Sequence, residues 1–181
     1  MKHIVCISGK ARSGKDTTAT LLESYILSEG KKVIVIHYAD LLKYICKQFF
    51  GWNGKKDEEG RTLLQHIGTD VVRNKDENFW VSFVIKFLSV FDTEWDYALI
   101  PDCRFPNEID AMKQYGAETD TRVTHLAITR KNAKVELTAE QMNHSSETAL
   151  DNRKPDYAID NSGDIEDLMY SVDKFVSEVL V

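Results

Sequence analysis

The sequence predicts an α/β protein in three layers, a five-stranded parallel sheet with helices on both faces. Two patterns carry this. Short β-branched runs read as buried parallel strands. Longer stretches of helical periodicity separate them, and the first run leads through a glycine-containing turn into such a stretch. At 181 residues the chain suits one domain with one sizeable core.

The elements follow in order. Ile4 to Ile7 is the first strand. Lys15 to Ser28 is a helix with Leu21, Leu22, Tyr25 and Ile26 on one face, and Gly30 stands where a C-cap belongs. Val33 to Ile36 completes a βαβ unit. Asp40 is placed to cap a helix running to Phe50, Gly51 to Gly60 reads as a polar turn, and Arg61 to Arg73 and Asn78 to Phe91 read as two further helices. Tyr97 to Ile100 is the third strand. Asn107 to Tyr115 is a helix that Gly116 should stop, and Val123 to Thr129 is the fourth strand. Lys131 to Arg153 is polar and weakly periodic, a mobile excursion with a short helix near Ser146 to Leu150. Tyr157 to Ile159 is the fifth strand. Asp164 to Val181 is a closing helix with Leu168, Val172, Phe175 and Val179 as its buried stripe.

Composition excludes several classes. The net charge of −6 argues against a nucleic-acid polymer as partner, since such binders need a basic field. No apolar run approaches the ~18 residues of a membrane span, and the apolar start is too short for a signal-peptide core. Cys6, Cys46 and Cys103 are odd in number and in no CxxC spacing, which argues for free thiols in a reducing cytoplasm.

Gly9-Lys10-Ala11-Arg12-Ser13-Gly14-Lys15 has the GxxxxGK pattern between a strand and a helix, the context it requires. Such a loop turns backbone amides and a helix N-terminus toward a triphosphate, and Lys15 adds a positive charge. ATP with Mg²⁺ is the expected ligand. Asp16 follows where Ser or Thr is usual. It could bind the ion directly, bind it through water or cap the helix, and Thr17 is the other candidate ligand.

Tyr97 to Asp102 is an apolar strand ending in an acid, at the sheet end where ligands gather. Asp102 could hold a magnesium shell, orient an acceptor oxygen or cap a helix. Arg104 could grip phosphate oxygens in a bidentate way or lie free on the surface. Trp80 could stack on a base, but a core position is the commoner use. Asp57-Glu58-Glu59-Gly60 matches DxxG without a preceding strand, and Asn74-Lys75-Asp76-Glu77 ends in the wrong acid for a guanine reader. Both patterns read as accidental.

The phosphate loop with Asp16-Thr17 resembles that of phage-type deoxynucleoside monophosphate kinases. Further matches run in the same order: Tyr38-Ala39-Asp40 with Leu42-Lys43, Leu64-Gln65 with Gly68-Thr69-Asp70 and Arg73, and Trp80-Val81. Asp102-Cys103-Arg104-Phe105-Pro106-Asn107-Glu108, His144-Ser145-Ser146-Glu147, and Asp156-Tyr157 with Asn161 complete the set. Cys103 departs from a more usual small aliphatic residue.

The resemblance implies a P-loop kinase fold in a single domain. Its core is residues 1–39, 95–130 and 154–181, with a substrate-binding helical insert at about 40–94 and a lid at about 131–153. It implies phosphorylation of a deoxynucleoside monophosphate by ATP in the cytoplasm, or the host cytoplasm if phage-encoded. Lys15, the loop and Asn161 would hold ATP. Asp40, Lys43, Gln65 and Arg73 would line the acceptor site, and Asp102 and Arg104 would stand at the reacting phosphates. Arg130 would lie over ATP near the lid hinge, and His144 could be a phosphate contact of the lid or an ordinary surface histidine. Asp70 could orient Arg73 or cap surface structure. Other small-molecule P-loop kinases, of the phosphomevalonate or dephospho-coenzyme A type, share the loop, and a non-catalytic nucleotide switch is a further alternative. A homodimer would fit through the helical insert.

Overall fold

The computed structural model describes residues 1–131, 133 and 137–180. The expected excursion from Lys131 to Arg153 therefore lies partly outside the described residues, as does the last residue of the closing helix.

Five parallel strands form one sheet in the order β2-β3-β1-β4-β5, with β1 His3–Ser8, β2 Val33–Val35, β3 Tyr97–Cys103, β4 Arg122–Thr129 and β5 Tyr157–Asp160. Each begins or ends within three residues of its expected place; β3 runs on to Cys103, and Ile36 falls just past β2. Adjacent side chains of β1 point to opposite faces and seed two cores. On one face Ile4 and Cys6 join Ala98 and Ile100 of β3. Trp80, Val81, Val84 and Leu88 of α4 (Phe79–Val90) cover them, with Ile109 and Met112 of α5 (Pro106–Glu118). On the other, Val5, Ile7, Leu99, Leu126 and Ile128 meet Leu22 and Ile26 of α1 (Lys15–Ser28) and Leu168, Val172 and Phe175 of α8 (Ile165–Phe175). Each fully buried Leu or Ile contributes about 1.5–3 kcal/mol, so both faces of β1 anchor the fold.

The helix α1 has the predicted limits. Gly30, at φ 69°, follows its cap, and the Gly30 and Lys31 amides close a Schellman turn on Leu27 and Ile26.

Several boundaries differ from expectation. The N-cap of α2 (Tyr38–Phe49) is His37, not Asp40, whose carboxylate instead reaches back from the first turn to the His37 amide at 3.0 Å. The helix α3 (Glu58–Gln65) begins inside the expected turn, capped by Asp57, and continues as a π-helical stretch from His66 to Arg73. Gly60 is helical because residues 52–57 fold over it, and a Cβ there would sit 2.1 Å from the Lys55 carbonyl oxygen. Gly116 likewise does not end α5. It lets the helix pass the Thr121 carbonyl, 2.5 Å from where a Cβ would be. Two short helices, α6 (Ala139–Asn143) and α7 (Ser145–Thr148), replace the single one expected. The closing helix finishes with a π-helical turn from Val176 to Leu180.

Candidate functional site

The phosphate loop leaves β1 and Arg104 leaves β3, and these strands pair side by side, with Ser8 opposite Cys103. The two segments thus emerge together at the C-terminal edge of the sheet, where α/β proteins bind ligands. The loop is fixed from beneath. Asn161, after β5, donates its side-chain amide to the Ser13 carbonyl at 2.8 Å, and Gly14, at φ 101°, leaves the space that amide occupies. The Lys15 ammonium is buried and lies 2.8 Å from both the Gly9 and Lys10 carbonyl oxygens. Burial first, and the Arg104 charge second, push its pKa down to about 8. The Ser13 hydroxyl is buried with no partner among the described residues, an open donor at the loop suited to a phosphate oxygen.

Asp16 and Thr17 are exposed on the first turn of α1. Asp16 faces His37 at 3.9 Å, an interaction that lowers the Asp16 pKa and raises that of His37. No group of three or more candidate metal-ligating side chains occurs among the described residues. Asp16 and Thr17 are oxygen donors of the kind a magnesium ion takes, at the end of the phosphate loop.

Next to the loop is a cavity of about 180 Å³ between α2, α3, the π-helical stretch and the β3–α5 turn. Of the residues that the resemblance named, Lys43, Gln65, Arg73, Asp102 and Arg104 line it. Lys56, Arg61, Phe105, Glu108 and Glu147 line it too, although the sequence reading gave them no role in binding. Five cations thus face three carboxylates. The carboxylates are already engaged. Asp102 accepts from the Tyr38 and Ala39 amides at 3.0 and 2.9 Å, so it caps α2 while facing the cavity. Glu108 is buried and accepts from the Arg104 and Phe105 amides at 2.7 and 3.0 Å. Glu147 pairs with Arg104. The excess positive charge suits a dianion. It also bears on Lys56, whose pKa is lowered by burial and then by Lys43.

Arg73 is held by Asn107 Oδ1 at 2.6 Å and Glu108 Oε1 at 3.3 Å, not by Asp70. Asp70 faces His66 and His144 instead, at 3.5 and 3.6 Å. Trp80 is in the core, donating its indole N–H to the Gly68 carbonyl at 2.9 Å, though it edges the cavity. Asp40 and His144, expected on the acceptor side, are not among the residues lining the cavity. Asp40 is turned to Lys43 at 3.0 Å. His144 caps α7, its Nδ1 accepting from the Ser146 amide at 3.2 Å, so its proton is assigned to Nε2. Arg130 is exposed just after β4.

Fold and site together define a phosphate-loop α/β protein with a cation-lined cavity beside its loop. The family model for deoxynucleotide monophosphate kinase matches residues 28–172. The chain belongs to that family. It is 33% identical over 114 residues to the deoxynucleotide monophosphate kinase of Enterobacteria phage T4, covering 62% of this chain and 43% of that protein. With its counterpart from Escherichia phage RB69 it shares 28% over 118 residues, covering 64% and 44%. The matched stretch is thus less than half the length of these relatives. Among solved structures, the chain superposes on the tunicamycin resistance protein of Deinococcus radiodurans with a TM-score of 0.55 at 11% identity, covering 99% of this chain and 96% of that one. On APS kinase CysC of Mycobacterium tuberculosis, solved with AMPPNP and APS, the TM-score is 0.51 at 12% identity, covering 97% and 98%. These likenesses establish the fold.

Proposed function

We propose that the chain transfers the γ-phosphoryl group of ATP to the phosphate of a deoxynucleoside monophosphate, giving ADP and the diphosphate. The observation that carries this reading is the meeting of a phosphate loop and a cation-lined cavity at the ends of two adjacent strands, β1 and β3. A donor and an acceptor would approach there from opposite sides, as in-line transfer requires.

In this reading the amides of Gly9 to Lys15 cradle the β- and γ-phosphates, Lys10 and Arg12 flank them, and the Lys15 ammonium turns from its carbonyl partners to the transferred group. Asp16 or Thr17 would hold the magnesium ion, which neutralises developing phosphate charge when bound. Lys43, Lys56, Arg61 and Arg73 would receive the acceptor phosphate, and the Gln65 amide would read a base edge. Arg104 would stand between the two phosphates, and Arg130 would reach the nucleotide from the hinge after β4. Asp102 would set the start of α2, which carries Lys43. The earlier division stands as part of the proposal: a core, a helical insert at about 40–94 and a lid at about 131–153. His144 would act within the lid by shaping α7. The partners would be small nucleotides in the cytoplasm. No helix among the described residues is long and apolar enough to cross a membrane. A homodimer would use the exposed Tyr44, Phe49 and Phe83 of α2 and α4.

A coupled ADP-release assay with ATP, Mg²⁺ and the common ribo- and deoxynucleoside monophosphates tests the proposal. ADP release should depend on a deoxynucleoside monophosphate, and Lys15→Ala should lower kcat by about 10²- to 10⁴-fold. Acceptor-independent turnover, or a fully active Lys15→Ala protein, contradicts it.

A further inference from the structure

Glu147 lies where the two halves of the proposed site meet. It lines the acceptor cavity, yet its carboxylate also reaches the phosphate loop. One oxygen pairs with the Arg104 guanidinium, and the other accepts from the Ala11 amide at 3.3 Å. The side chain is 8% exposed, so this is a desolvated carboxylate and not a surface pair. The backbone around it is tied down as well. The Lys10 ammonium donates to the Glu147 carbonyl at 2.6 Å and pairs with Asp151, and Arg104 donates to the Ser146 carbonyl at 2.8 Å.

These partners are an amide of the phosphate loop and an arginine, the donors that recognise phosphate oxygens. Lys15 is close enough to feel the Glu147 charge. A carboxylate in this position engages the amide and the cation that a phosphate oxygen would also seek.

We infer that Glu147 is a built-in stand-in for a phosphate, and that binding of a nucleoside triphosphate must expel it and release the α6–α7 segment from the loop. The inference rests on the proposed ATP site. Two consequences follow. Triphosphate affinity is lowered by the fraction of molecules in which the latch is shut. The α6–α7 segment, free to move only once its anchor is displaced, changes position in step with nucleotide loading.

The test is calorimetric titration with AMPPNP, with and without Mg²⁺, of the wild type, Glu147→Gln and Glu147→Asp. Hydrogen exchange of residues 139–152 is followed in the nucleotide-free proteins, and circular dichroism and thermal midpoints establish that each variant is folded. Aspartate keeps the charge but is one methylene too short to bridge Ala11 and Arg104. Both variants should bind AMPPNP about 5- to 20-fold more tightly than the wild type, matching a latch open ~5–20% of the time. Both should exchange faster across 139–152. Tighter binding by Glu147→Gln with wild-type affinity in Glu147→Asp would reduce the effect to charge repulsion and overturn the latch. Unchanged affinity in both also overturns it. So does weaker binding, which would make Glu147 part of the nucleotide or magnesium site. A wild type that binds no AMPPNP removes the ATP reading and the latch together. A wild type that binds while the variants match it removes the latch alone.

Discussion

Arg73 stands over the ring of Phe105, its guanidinium carbon 3.7 Å from the ring centroid. Its nitrogens are meanwhile held by Asn107 and Glu108. A planar, delocalised cation is required for both contacts at once. Arg73→Lys keeps the charge and loses the fork and the stacking. The acceptor KM should rise about 10- to 100-fold, and the KM for ATP should stay within about twofold. Steady-state kinetics with each substrate varied in turn checks this.

Glu108 beneath Arg73 gives stability a pH dependence. Burial, opposed by the Arg104 and Phe105 amides and by Arg73, pushes its pKa up from 4.5 to about 7. A carboxyl that holds its proton more firmly when folded favours the fold at low pH. That contribution is complete below 4.5, shrinks between 4.5 and about 7, and is gone above. Its size is on the order of 1–3 kcal/mol. Denaturant titrations across this window should show the wild type losing stability relative to Glu108→Gln as pH rises. Parallel curves for the two proteins contradict the assignment.

Lys15 should impose a second pH dependence, on binding rather than folding. Its pKa of about 8 in the free protein means that it loses its proton just above neutrality. A neutral amine attracts a triphosphate less than an ammonium does. AMPPNP affinity should therefore weaken as pH rises through about 8. In Lys15→Met it should be lower throughout and lack that inflection.

Asp102 is half-buried and accepts two amides at the start of α2. Asn in its place offers one acceptor and no charge to the helix N-terminus. Asp102→Asn should cost about 1–2 kcal/mol, or about 2–8 °C in Tm for a domain of this size. Scanning calorimetry measures it.

Gly116→Ala tests the packing of α5 on the chain leading into β4. The added Cβ would stand 2.5 Å from both the Thr121 carbonyl oxygen and a Val123 methyl. A loss of about 1–3 kcal/mol should follow. A neutral result would mean that the α5–β4 turn yields without cost.

The central strands β1 and β3 were legible because they are buried on both faces and so read as apolar runs, while β2 and β5 at the sheet edges are only partly buried and were marked by their β-branched and aromatic residues. The helix α1 was legible because Gly9 to Lys15 and Gly30 punctuate both of its ends. Local rules failed where a glycine answers to a neighbour distant in sequence or folded over it. Gly60 and Gly116 read as breakers, but each is a clearance for backbone, from residues 52–57 and from Thr121. In the site, Arg73 and Arg104 were found from their motifs, but their partners were not. Glu108 looks like any acid in a first helical turn, and only the packing of β3 and α5 reveals that it is buried. Glu147 meets Ala11 across 136 residues of chain, a pairing that no spacing rule reaches. Helical spacing left Asp70 either to orient Arg73 or to cap surface structure, and it faces His66 and His144 instead.

The central claim is that one site holds two anions in line, a triphosphate on the loop and a monophosphate among Lys43, Lys56, Arg61 and Arg73. A bisubstrate analogue, with adenosine and a deoxynucleoside joined by a chain of phosphates, tests it most directly by calorimetric titration. It should bind one to one, compete with both ATP and the deoxynucleoside monophosphate, and lose affinity in both Lys15→Ala and Arg73→Ala. Two molecules bound per chain, or competition with ATP alone, would contradict the account.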